Sequence, residues 1–234
     1  MLTTGRPHRA GKDKRGETDC DRCLCEACVA VGPLLALTRD VHQTTRLFDD
    51  LRRFVEGCDV RVVLKAMNIE QPGEFDGLTI TINPKHDATA ASYYLAHAFG
   101  SIVQWSTATD MARRVYHGLR TAKEHRDEEP AQFEQALSEY RAFEQTSSEH
   151  AVWMLAQIGH RDSIADYTTF FRADVEAMTI FHRTGKEPPW PEFYADWKRR
   201  VAAGDIRIDP FTPKPVSSFQ PRRIEHQEVL QERD

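Results

Sequence analysis

The stretch Ser92-Tyr93-Tyr94-Leu95-Ala96-His97-Ala98-Phe99-Gly100-Ser101-Ile102-Val103-Gln104-Trp105 decides how this chain is read. It contains no proline, and over residues 88–105 the apolar positions recur at helical spacing, with Asp87 placed to cap the first turn. Leu95, Ala98, Ile102 and Trp105 fall on one stripe suited to a core. Tyr93, His97, Gly100, Ser101 and Gln104 fall on another, and Tyr93, Ser101 and Gln104 are expected there as the lining of a pocket. Upstream, residues 76–83 alternate apolar and polar as a half-buried strand does, with Leu78, Ile80 and Ile82 on one face and Pro84 ending the run. The expected unit is a strand that feeds a site helix through a short turn.

His97 carries the chemistry of that helix. In a His-Glu-x-x-His helix two imidazoles one turn apart hold zinc, and the glutamate acts as general base on the metal-bound water. Here Ala98 stands where the glutamate would be and Ser101 where the second histidine would be. Alanine takes no proton from water, and a neutral hydroxyl is a poor replacement for imidazole on zinc. These residues argue against ordinary zinc-assisted hydrolysis. A serine hydrolase built on Ser101 and His97 is disfavoured too, because Ser101 lies within a helix and the strained turn that exposes a nucleophilic serine is absent.

The strand, the Asn83-Pro84 turn and Leu95-Ala96-His97-x-x-Gly100 together resemble the metallopeptidase-like domain of the ImmA/IrrE family, whose helix usually reads Leu-Ala-His-Glu-x-Gly-His. Residues 143–151 resemble the family's downstream helix, in which a glutamate followed by small residues supplies the third metal ligand. Glu144 is the aligned position and Glu149 its rival. On a helix Glu144, Ser148, Ala151 and Leu155 share one face, which allows close approach to the first helix. The resemblance covers residues 58–160. It implies an α+β, mostly helical fold: a zincin-like core with a small β-sheet packed on a site helix, followed by a helical second half.

Length and composition bound the alternatives. At 234 residues one main domain is the simplest organisation. A formal net charge of −5 leaves no overall basic footprint for nucleic acid, so no direct nucleic-acid partner is expected. No apolar stretch reaches the roughly 18 residues of a membrane span, and the N-terminus has no apolar leader, which together suggest a cytoplasmic protein without a membrane partner.

Three segments are expected: residues 1–29, a disordered basic tail with a cysteine cluster; residues 30–205, one zincin-like domain; and residues 206–234, an extended proline-rich strap. Cys20, Cys23, Cys25 and Cys28 form two Cys-x-x-Cys turns almost back to back. Four thiolates suffice for a structural zinc or an iron–sulfur cluster, although Leu24 alone separates the halves where zinc ribbons place roughly 15–20 residues. A thiol switch and the absence of any defined role are the competing readings. Cys58 stands apart as a core thiol.

Leu34, Leu37, Val41, Thr44, Phe48, Leu51 and Val55 recur at steps of three and four, the stripe of a helix covering the sheet. A strand is expected over 59–66, with Val60, Val62 and Leu64 on one face. Helices follow over 110–125, 131–158, 163–184 and 191–203, the third with an apolar band of Tyr167, Phe170, Phe171, Val175, Met178 and Phe181. Pro210, Pro213, Pro215 and Pro221 exclude a regular helix in the strap, where Phe211, Phe219 and Ile224 are positioned to dock.

Two functions follow. The first is a non-catalytic, metallopeptidase-like binding or regulatory scaffold with a protein or peptide partner, in which zinc at His97 is not expected and Glu144 satisfies the imidazole. The second is a metal-dependent peptidase with an atypical site, in which His97, Glu144 and a further residue hold metal and another carboxylate, such as Glu149, acts as base. His86 lies free to approach such a site, whereas His150 points about 240° around its helix from Glu144, at roughly 100° per residue.

Overall fold

Asp87 starts the central helix by accepting from the backbone N–H groups of Thr89 and Ala90 at 2.9 and 3.0 Å. The structure is a computed structural model that describes residues 41–67, 72–216 and 218–224. Among these the order is α1 (Val41–Glu56), β1 (Arg61–Leu64), β2 (Gly73–Phe75), β3 (Thr79–Ile82), α2 (Ala88–Thr107), α3 (Thr109–Glu124), α4 (Pro130–Gln157), α5 (Ile164–Thr184) and α6 (Trp190–Ala203). The fold is therefore mostly helical α+β with one small sheet. The basic tail, the four clustered cysteines, Leu34, Leu37 and everything beyond residue 224 lie outside the described residues.

The sheet has the order β1-β3-β2. β1 runs parallel to β3 in the register Arg61↔Thr79 to Leu64↔Ile82, and β2 is antiparallel to β3 with Gly73 opposite Ile82. Val60, Val62, Ile80 and Ile82 are buried, as their alternation predicts. Leu64 departs from it: at the end of an edge strand with one neighbour, it is 52% exposed. The strand expected over 59–66 is shorter at both ends, and β2 was not legible at all. Leu51 and Val55 of α1 are buried and Phe48 packs beside them, so the stripe covers the core.

α2 is buried on all sides from Thr89 to Trp105. That is the chief departure from the amphipathic expectation: the face of Tyr93, His97, Ser101 and Gln104 packs inside the protein instead of lining an open cleft. Its main neighbour is α4, and Gly100 is the reason the two helices come so close. A Cβ there would stand 2.0 Å from the Ser147 carbonyl oxygen. α3 and the first half of α4 build a second apolar cluster around Trp105, Tyr116, Leu119, Phe133, Leu137, Tyr140 and Phe143.

Among the described residues after Gly204 there is no regular element, and the chain runs back across the helices. Phe211 is buried near Tyr167, and Phe219 meets Phe99 edge to face at 5.7 Å. Backbone bonds hold the strap at Lys214 N–H to Glu149 O, 3.0 Å, and Ile224 N–H to Asp76 O, 2.8 Å. Gly77, at φ +85°, admits the Arg222 backbone where any side chain would clash. None of the described helices is long and apolar enough to cross a membrane.

Candidate functional site

Four helices meet at His97. α2 supplies the imidazole, α4 supplies Glu144, α3 supplies Tyr116 and α5 supplies Phe171. His97 Nε2 lies 3.2 Å from Glu144 Oε2, with the two side chains 2% and 4% exposed. Tyr116 donates its hydroxyl to the other oxygen, Glu144 Oε1, at 2.8 Å. Phe171 stacks on the imidazole with ring centroids 4.2 Å apart and planes 16° from parallel. Two turns further along α2, Ser147 donates to Gln104 Oε1 at 2.6 Å.

Of the residues singled out in the sequence, the structure brings His97 and Glu144 into contact. His97 and Glu144 face each other because each sits on the small-residue side of its helix, where Gly100, Ser147, Ser148 and Ala151 leave room for a close crossing. Glu149 is not at this site; it accepts from Gln145 on the outer face of α4 at 3.0 Å. His150 turns to the strap and meets the Lys214 carbonyl at 3.0 Å, and burial lowers its pKa. Tyr93 is buried between Tyr167 and Phe170, with edge-to-face centroids at 5.8 and 5.6 Å.

Sequence reasoning missed Tyr116, Asp174 and His182. Asp174 lies on α5 in the middle of its apolar band, one turn after Phe170 and before Met178, and is buried with Oδ1 unpartnered among the described residues. Burial raises its carboxyl well above the usual range, and the nearby charges of Glu144 and Glu187 push in the same direction. Burial likewise raises the Tyr167 hydroxyl well above its usual value. His182 is buried against the Tyr140 ring, and burial, with repulsion from Lys123, lowers its pKa to about 4. A carboxylate at helical spacing inside an aromatic band is the signal that marked Asp174 in the sequence.

Chemically this is a closed polar node. Both oxygens of Glu144 are engaged, and the imidazole that they hold is covered by a phenyl ring. A zinc ion between His97 and Glu144 would have to displace that direct contact and find further ligands. Among the described residues no group of three or more His, Cys, Asp or Glu side chains is placed to hold a metal ion, so the residues present do not fit the metal that the resemblance implies. No family model matches the chain, and no curated protein or solved structure matches it significantly.

Proposed function

We propose that this chain is a non-catalytic relative of zincin-like, ImmA/IrrE-like metallopeptidases, which serves as a binding or regulatory scaffold for a protein or peptide partner. The observation that carries the reading is the double engagement of Glu144 by His97 and Tyr116 beneath Phe171. A hydrolytic site needs an open coordination position and a base that can reach water. Here the two residues aligned with metal ligands are in direct contact through His97 Nε2, and Ala98 and Ser101, which replace the base and second ligand, are buried in helix packing. The helix frame is retained as architecture, and its polar residues serve to join helices.

The test is the metal content and peptidase activity of the full-length protein purified anaerobically, beside His97→Gln, Glu144→Gln and a variant with Cys20, Cys23, Cys25 and Cys28 replaced by serine. The scaffold reading expects no metal that depends on His97 or Glu144 and no cleavage of unstructured peptides. Zinc or iron lost only in the cysteine variant would place a metal on that cluster and leave the scaffold reading intact. Stoichiometric zinc lost in both His97→Gln and Glu144→Gln, together with a peptidase activity, would overturn it in favour of an atypical metallopeptidase.

A further inference from the structure

α3 buries one side and turns the other outward. Ala112, Val115, Tyr116 and Leu119 are buried in the second apolar cluster, and among the described helices α3 packs chiefly on α2 and α4. The opposite face carries Arg113, Arg114, His117 and Arg120 at helical spacing. The acids of that face stand at its two ends: Asp110, which faces Arg113 at 3.8 Å, and Glu124. Between them Arg114 is exposed, and Arg120 contacts His117 Nδ1 at 3.1 Å. Neither guanidinium has an acidic side chain within ion-pair distance among the described residues. Met111, one turn before Arg114, is 37% exposed, and Leu64 is the other large apolar side chain so exposed among the described residues. Over residues 109–124 four basic residues stand against two acidic ones, in a chain whose net charge is −5.

The strap brings a matching segment to this helix. Ile224 is held by its N–H on the Asp76 carbonyl at 2.8 Å and packs against the cluster that α3 helps to build. Residues 225–234 follow without a proline and carry four acidic residues against one basic. At helical spacing Glu225, Glu228, Val229 and Glu232 fall on one face, a stripe of carboxylates with an apolar residue in it. That is the complement of an arginine stripe beside a methionine. Ten residues of helix span about 15 Å and the sixteen of α3 about 24 Å, so the segment has the length to lie along that face.

We propose that residues 225–234 fold back as a short helix along the outer face of α3, setting Glu225, Glu228 and Glu232 against Arg114 and Arg120 and Val229 against Met111. The segment then clamps the helix whose Tyr116 hydroxyl holds Glu144. Exposed ion pairs are individually weak and screened by salt, so the clamp is one that ionic strength releases. The inference goes beyond the metallopeptidase-like reading and does not depend on it, because none of the paired residues touches His97 or Glu144.

Hydrogen–deuterium exchange on the full-length chain, and on a chain ending at Ile224, tests it. A ten-residue helix is marginal on its own, so protection of its amides reports docking. In the unaltered protein at low salt the amides of residues 229–234 should exchange roughly tenfold or more slowly than in the free peptide, and about 1 M NaCl should remove most of that protection. The amides of α3 should exchange faster in the shortened chain, and those of α5 should not change. Arg114→Glu with Arg120→Glu should reproduce the loss in the full chain, and adding Glu225→Arg, Glu228→Arg and Glu232→Arg should restore protection. Free-peptide exchange of residues 229–234 in the unaltered protein overturns the proposal, as does α3 exchange that is the same in both chain lengths. Protection that grows with protein concentration assigns the face to the same segment of a second copy and overturns the intramolecular clamp. The comparison with the free peptide uses the unaltered protein, so the proposal stays testable even where a variant folds poorly.

Discussion

His97 lies flat on Phe171, with ring planes 16° apart and centroids 4.2 Å apart, so the imidazole of α2 is closed off by α5. The contact joins the helix that resembles a peptidase's site helix to the helix carrying the largest aromatic band. Phe171→Ala should therefore cost about 3–5 kcal/mol, the range for deleting a buried phenyl ring. Denaturant unfolding measures this. A cost near that of a surface substitution would show that the stack is not part of the core.

Gly100 permits a close approach between α2 and α4. Because the atom that a Cβ would strike is the Ser147 carbonyl oxygen, at 2.0 Å, no side-chain rotation relieves the clash, and the helices must move apart. Gly100→Ala should destabilise by about 1–3 kcal/mol, although alanine is the better helix former. Gly118→Ala, on α3 with open space around the added methyl, is the control and should be neutral or stabilising. The thermal melt should fall in Gly100→Ala and should hold or rise in Gly118→Ala.

Tyr116→Phe removes the donor to Glu144 Oε1 while keeping the ring that packs on Tyr140 and Phe143. A buried carboxylate then loses one of its two partners, at a cost of about 1–3 kcal/mol. In Glu144→Gln the charge is already gone, so the additional cost of Tyr116→Phe should fall. A double-mutant cycle by equilibrium unfolding reads the difference, and strict additivity of the two changes would exclude the coupling.

How much of this was legible in advance depended on where each residue's partner lay. Asp87, Pro84, Gly185 and the proline run after Gly204 act through their own backbone neighbourhood, so the ends of the helices could be placed from the chain alone. Glu144 could be paired with His97 because the resemblance aligned it. The face of Tyr93, Ser101 and Gln104 could not be judged from periodicity, which registers polar side chains but not the Ser147 hydroxyl or the Tyr167 ring that meets them from other helices. β2 was missed because Gly73-Glu74-Phe75 is too short to show a period, and its pairing with β3 is a long-range event.

Asp174 and His182, two buried groups on one face of α5, should give this protein stability that varies with pH from both sides. The folded-state pKa of Asp174 is raised, so the stability it contributes is full below its ordinary value of 3.8 and is lost as pH rises through the folded value. Asp174→Asn removes that loss and should be more stable than the unaltered protein at neutral pH, with the gain shrinking as pH falls toward 4. His182 is opposite in sign: with a pKa lowered from 6.5 to about 4, it contributes stability above 6.5 that is lost on acidification through that window. The shift corresponds to about 3 kcal/mol between those limits. His182→Phe, which stays uncharged and keeps a ring against Tyr140, should flatten the acid limb of the profile. Unfolding free energies from about pH 4 to 8 separate the two by sign: Asp174→Asn makes stability rise more steeply with pH, and His182→Phe makes it rise less. An acid limb that survives in His182→Phe would assign it to other groups, with Asp50 the next candidate: it is held below its usual pKa by His160 at 2.9 Å and loses that contact's benefit at still lower pH.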